Sequence, residues 1–425
     1  MNPRSSPTHQ EAITIIAPVK PQALGQLERV LARLAEDPAE GPVPFRKVGG
    51  VHFARFVVIP PEQEGGGPLL LLLLDCDAPR RSRLRRLVVV GAPGLDDVFE
   101  CCEGYPGEAH RTPAARYAYL REHTTGTAAT YFNTVGRTVE QIEQEAFLRE
   151  QIECFLDSGR NWSERTPAEV RSAIQAFVAR RNDLRWALLP APGPPFSRRI
   201  ANGLDLARGI AMVIAAAPVA LVGALPYAFQ LRRQERSDSA NRIKPDDAHV
   251  QRLAAIEDLV SQNQFTAYGS IKPGRLRRYT AIVILWGVNL GTRHRFNRGS
   301  LAGVKTIHAA RWVFLDDKRR MIFCSNYDGS LENYMDDFID KVAWGLNAVF
   351  SNGVDYPRTR WLIKDGAKDE QAFKSYIRAH QVPSNVWYTA YPSLTALNIE
   401  NNARIRAGLS GTMEEDEAAK WLRRF

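Results

Sequence analysis

The side chains best placed for chemistry in this sequence are His308, Arg311, Asp328 and His380. His308 stands three residues before Arg311 on a β-type run, a spacing that puts the two on opposite faces of a strand. Asp328 follows the next apolar run, within Ser325-Asn326-Tyr327-Asp328-Gly329. A carboxylate held near the Arg311 guanidinium at the mouth of a pocket would handle protons for a bound cofactor or substrate. A plainer explanation competes: Asp and Gly suit a tight strand-to-helix turn, and Ser330 would cap the helix that follows.

The histidines recur. His52-Phe53-Ala54-Arg55 answers His308-Ala309-Ala310-Arg311, and Tyr119-Leu120-Arg121-Glu122-His123 answers Tyr376-Ile377-Arg378-Ala379-His380. Tyr131, Ile142-Glu143-Gln144 and Leu148-Arg149 answer Tyr388, Ile399-Glu400-Asn401 and Ile405-Arg406 at the same constant spacing. Asp77 answers Asp328, Tyr105-Pro106 answers Tyr356-Pro357, and Lys20-Pro21 answers Lys272-Pro273. Matches in one order from end to end point to a module present twice. A residue found in both copies serves what both copies do, such as hydrogen-bonded packing.

The elements that must position these residues follow from periodicity. Ile13–Ile16 reads as a strand, and from Pro21 onward Leu24, Leu27, Val30, Leu31 and Leu34 share one helical face. His52–Ile59 and Leu69–Leu74 read as a hairpin, the second strand apolar at every position and so buried on both faces. Arg81–Val98 reads as a helix weakened by Val88-Val89-Val90-Gly91. The second copy predicts strands over Phe265–Ser270, Lys305–Leu315 and Arg320–Ser325, and helices over Pro273–Val288 and Ser330–Val349. This β-α-β-β-α order needs one more strand, expected near Arg358–Lys364, to complete a ferredoxin-like unit. The expected fold class is α+β: two such units, 1–160 and 246–425, each covering the other's open sheet as an intramolecular α+β barrel, around a helical linker over 161–245.

Two ferredoxin-like sheets paired in one chain resemble the dimeric α+β barrel superfamily, whose duplicated members include the dye-decolorising peroxidases. That family carries Gly-x-x-Asp-Gly after a strand; here Tyr327-Asp328-Gly329 stands in such a place without the first glycine. The resemblance implies Asp328 on the distal side of a haem with an assisting arginine, and a peroxidase-like oxidoreductase. His308 is then the leading haem-ligand candidate and His380 the second. The alternative is a non-enzymatic ligand-binding or membrane-scaffolding protein on the same barrel.

Between the modules Thr166 and Glu169 form a capping box for a helix from Pro167 to about Leu189, and Pro190–Pro195 breaks it. Gly209–Phe229 then carries no charge and is long enough to cross a bilayer. One crossing would put the two modules on opposite sides, which their pairing forbids. Arginines flank it on both sides, Arg198, Arg199 and Arg208 before and Arg232, Arg233 and Arg236 after. The expectation is a shallow helical hairpin kinked at Pro218 and ending near Pro226, dipping into the cytoplasmic leaflet with its arginines at anionic headgroups. A buried apolar hairpin in a soluble protein is the competing reading.

Composition sets few limits. The 425 residues are 44% hydrophobic and 24% charged with a formal charge of +9, which fits anionic lipid, nucleic acid or a solvated basic surface. The cluster Arg293-His294-Arg295-Phe296 with Arg298 would be the nucleic-acid candidate, but basic residues concentrate beside the apolar run and are not interleaved with exposed aromatics. Five cysteines without CxxC spacing argue for a reducing compartment. The polar Met1–Glu11 lacks a secretory h-region. There is no P-loop, Gly-x-Ser-x-Gly, His-Glu-x-x-His or dinucleotide fingerprint.

Overall fold

Apolar side chains at alternating or helical spacing account for most elements of the computed structural model, which describes residues 10–61, 67–158, 161–190, 196–239, 242–296 and 299–425. The first nine residues, the linker after Pro190 and Arg298 lie outside the described residues, as does the side chain of Arg198. The first half forms β1 (Gln10–Pro18), α1 (Leu24–Glu36), α2 (Phe45–Val48), β2 (Val51–Ile59), β3 (Leu69–Asp77), α3 (Arg80–Val90), α4 (Ala92–Phe99), α5 (Pro113–Glu122), β4 (Thr124–Thr125), β5 (Ala129–Phe132) and α6 (Val139–Leu156). Next come α7 (Pro167–Arg180), α8 (Phe196–Ser237) and α9 (Asp247–Ala254). The second half forms β6 (Gln262–Ser270), α10 (Arg275–His294), β7 (Ile307–Leu315), β8 (Arg320–Asp328), α11 (Leu331–Phe350), β9 (Thr359–Arg360), β10 (Lys364–Asp365), α12 (Glu370–His380), β11 (Val386–Thr389), α13 (Ala396–Ala407) and α14 (Glu415–Leu422).

The molecule is a mixed α+β structure with two antiparallel sheets, ordered β4-β1-β3-β2-β11 and β6-β8-β7-β5. The leucine run of β3 is buried on both faces, as its composition requires. Leu70, Leu72 and Leu74 pack toward α1, α3 and α4, while Leu71 and Leu73 meet Val313, Leu315 and Ile322 of the other sheet. Each such side chain removed from water contributes about 1.5–3 kcal/mol. On α1, Leu27, Val30, Leu31 and Leu34 form the buried stripe. The single helix expected over Arg81–Val98 is two, broken at Gly91.

Each half lends an edge strand to the other. β5 pairs with β7, Thr130 opposite Arg311, and β11 pairs with β2, Trp387 opposite Arg55. The exchange satisfies the backbone groups that β2 and β7 would otherwise present as open edges. The strand expected near Arg358–Lys364 therefore does not complete the second sheet; β9 and β10 make a small ribbon of their own. A bridge from Gln381 to Ala267 occupies the place that β4 takes in the first sheet.

The centre differs from expectation too. α7 has the capping box at Thr166 and Glu169 but ends at Arg180. α8 is one continuous helix through Pro218 and Pro226, not a hairpin kinked at Pro218. A proline removes one backbone bond, and the alanine- and leucine-rich turns on either side keep their own. The buried-hairpin reading fails as well, since only 6% of the apolar window is buried. Near its two ends the run approaches the same helix, α10: Leu290 lies against Gly209, and Thr280 hydrogen-bonds Tyr227 at 3.1 Å. Between these two contacts the run covers about 27 Å at helical rise. Residues 211–222 are exposed on every side.

Candidate functional site

His52 and His308 each sit at a β-bulge, where one extra residue shifts the register between Val51 and Phe53 and between Ile307 and Ala309. The extra residue overturns the expectation that His and Arg point to opposite faces: both His–Asp pairs and both arginines lie in the layer between the sheets. His308 Nε2 is 2.7 Å from Asp328 Oδ1, and His52 Nε2 is 3.0 Å from Asp77 Oδ1. The second oxygen of each aspartate accepts from the first helical N–H of α13 (Ala396, 2.8 Å) or α6 (Val139, 3.3 Å). Each aspartate thus ties a bulged strand, its own strand and a helix N-terminus together, where negative charge is favoured. Gly329 turns with φ 80°, and Ser330 accepts from Asn333 N–H to cap α11.

Arg311 does not approach Asp328. Its guanidinium crosses to the first sheet, donating to Ile13 O (2.7 Å), Thr14 Oγ1 (3.1 Å), Leu74 O (2.8 Å) and Asp75. Arg55 crosses the other way to Phe265 O (2.8 Å), Thr266 Oγ1 (2.9 Å), Ser325 O (2.9 Å) and Asn326. The two clamps differ in charge: Arg311 pairs with a carboxylate, whereas Arg55 meets neutral acceptors, the Asn326 amide and, at 3.5 Å, the Gln264 amide. Burial accordingly pushes the Arg55 guanidinium below its ordinary value. Burial also raises the thiol of neighbouring Cys324, and burial with the charges of Asp77, Asp75 and Asp328 holds the Tyr391 phenol well above its usual range. Tyr391 therefore keeps its proton and lies 2.9 Å from His52 Nδ1.

His380 stands apart. Its Nδ1 is 2.9 Å from Tyr376 O and its ring lies over Tyr376 at 4.4 Å, as His123 does with Tyr119. Burial lowers its readiness to take a proton. The void beside it, about 30 Å³, is far too small for a macrocycle. A haem does not fit His308 either, because Asp328 takes Nε2 and Phe53 packs against the ring at 5.4 Å.

An apolar cavity of about 360 Å³ lies where periodicity gave no hint. α10 and α11 enclose it against the outer face of the second sheet, with Trp312, Phe323, Met335 and Phe338 in its walls and, among the described residues, no imidazole, thiolate, carboxylate or cationic side chain. Gly287 and Gly291 on α10 and Gly345 on α11 leave the space open. A Cβ at Gly287 would meet nothing within 4 Å.

Beside α8 lies a second feature that sequence reading missed. Glu235, fully buried at the end of α8, accepts from the N–H groups of Trp361 (2.9 Å) and Leu362 (2.8 Å) and pairs with Arg232. Burial works to raise its pKa, but these bonds overcome that and hold the carboxyl below its ordinary value. Trp361 and Leu362 both adopt left-handed backbone, φ 58° and 61°, which costs of order 1–3 kcal/mol per residue unless the surroundings impose it. The result is an exposed Trp361 beneath the Arg232 guanidinium, next to Phe229, Arg233 and Arg236. Arg208 is exposed at the other end of the apolar run. Of the basic cluster, Arg293 and His294 face Asp205 of α8 at 3.1 and 3.2 Å.

No known family's profile matches the chain, and no curated protein resembles it significantly.

Proposed function

We propose that this chain is a monotopic membrane protein that binds a small lipophilic molecule, without peroxidase chemistry of its own. In this reading two ferredoxin-like units, each with the order β4-β1-β3-β2 or its counterpart, close on one another as an α+β barrel whose interior is filled by the arginine clamps and His–Asp pairs. The single observation that carries the reading is α8: a charge-free run exposed on every side over 211–222 while both its ends rest on α10. A bilayer crossing would separate those ends, whereas lying in one leaflet keeps them on the same body. Trp361 with Arg232, Arg233 and Arg236, and Arg208 at the far end, then meet anionic headgroups, which favours the cytoplasmic leaflet. The apolar cavity supplies the ligand site, at the small end of the range for such pockets. Asp328, Arg311, His308 and His380 are assigned structural roles, because the hydrogen bonds each makes run to neighbouring strands and helices, although His308 Nδ1 is buried without a partner among the described residues. Flotation with anionic vesicles tests the reading: the full chain should rise with phosphatidylglycerol-containing vesicles, and recovery only from the soluble fraction would overturn it.

A further inference from the structure

Gly287 is a mid-helix glycine with an exposed backbone, a placement that costs about 1 kcal/mol relative to alanine and brings no contact in return. It lines the apolar cavity together with Trp344 of α11, which is nonetheless 58% exposed. Tyr279 and Val283, each 63% exposed, precede Gly287 at four-residue spacing and so share its face of α10. That face also forms a groove with Tyr227 at the end of the apolar run of α8, and Ile284 borders both groove and cavity. The opening at Gly287 therefore continues an exposed apolar stripe that leads to the membrane-type helix.

We infer that the gap between Gly287 and Trp344 is a lateral portal, through which the hydrocarbon part of a neutral, lipid-borne molecule passes from the bilayer into the cavity. The inference rests on the membrane reading of α8. The wall chemistry favours an uncharged occupant: among the described residues no ionisable acid or base other than the Tyr334 phenol lines the space, and that hydroxyl is already held by Ser325 Oγ at 2.7 Å. Glycine at 287 keeps the entrance wide. A leucine there would set its side chain in the gap without displacing a neighbour at its Cβ, and would favour the helix.

The test uses the full chain on vesicles of phosphatidylcholine and phosphatidylglycerol doped with a diazirine-bearing hexadecanol, with photo-adducts mapped by peptide mass spectrometry. Wild type should carry adducts on α8 and also on the cavity walls of α10 and α11. Gly287→Leu should lose the cavity adducts by about tenfold or more and keep those on α8, with an unchanged circular dichroism spectrum. Gly287→Ala, adding one methyl in open space, should label as wild type does. Adducts on α8 but never in the cavity, or cavity labelling undiminished in Gly287→Leu, would overturn the portal and leave the membrane reading standing. Absence of adducts from α8 as well would overturn both.

Discussion

The two arginine clamps offer an internal control, because only Arg311 holds a carboxylate. Replacing Arg311 with methionine leaves Asp75 buried without its cation and two carbonyls, Ile13 O and Leu74 O, without their donor. Breaking a buried pair in this way costs about 3–5 kcal/mol. Arg55→Met also strands two carbonyls, Phe265 O and Ser325 O, but its remaining partners, Thr266, Gln264 and Asn326, are neutral, so the cost is that of unsatisfied acceptors, about 1–3 kcal/mol. It also removes a guanidinium that burial disfavours. Urea unfolding of the full chain in detergent, followed by tryptophan fluorescence, should place the Arg311→Met midpoint below that of Arg55→Met. The double variant Arg311→Met/Asp75→Leu should recover much of the loss, since the lone carboxylate is gone. Equal losses for the two single variants, or no recovery in the double, would refute the assignment of Arg311 as a structural clamp.

Two further outcomes follow from the same contacts. The carboxyl of Glu235 is held below its ordinary value, so the stability it contributes is full above the unfolded-state value of 4.5 and is lost as pH falls through the lower folded-state value; acid should red-shift Trp361 emission in that window, and Glu235→Gln should abolish the transition. His308→Ala should leave the absorption spectrum without any Soret change and lower stability by about 1–3 kcal/mol, because Asp328 loses a buried partner; a Soret band that disappears in this variant would restore the haem assignment.

Local pattern carried much of the fold. The stripe of α1, the two-sided leucines of β3 and the Ser330 cap are all written within a few residues, and each element formed where its own periodicity put it. What depended on distant parts of the chain was not readable. The exchange of β5 and β11 is a choice between edges, and nothing within Ala129–Phe132 or Val386–Thr389 says which sheet they join. The bulges at His52 and His308 insert one residue into an alternation, which reverses the inferred faces without altering composition. Asp75, the partner of Arg311, lies on the opposite sheet, so proximity in sequence to Asp328 was a poor guide. The apolar run of α8 was evident, but its continuity through two prolines was not. The cavity left only a faint trace, two glycines one turn apart in an apolar helix, and it needed α11 in place before it meant anything.

The most direct test of the account substitutes Leu221→Asp, Val222→Asp and Leu225→Asp together in the full chain, because all three side chains are almost wholly exposed and no partner in the protein is lost. Each aspartate costs about 2.5–3.5 kcal/mol at full bilayer depth and less nearer the headgroups. The account predicts that wild type floats with anionic vesicles while the folded triple variant stays behind in the soluble fraction. Flotation of the triple variant to the same extent as wild type, or failure of wild type to float, would contradict it.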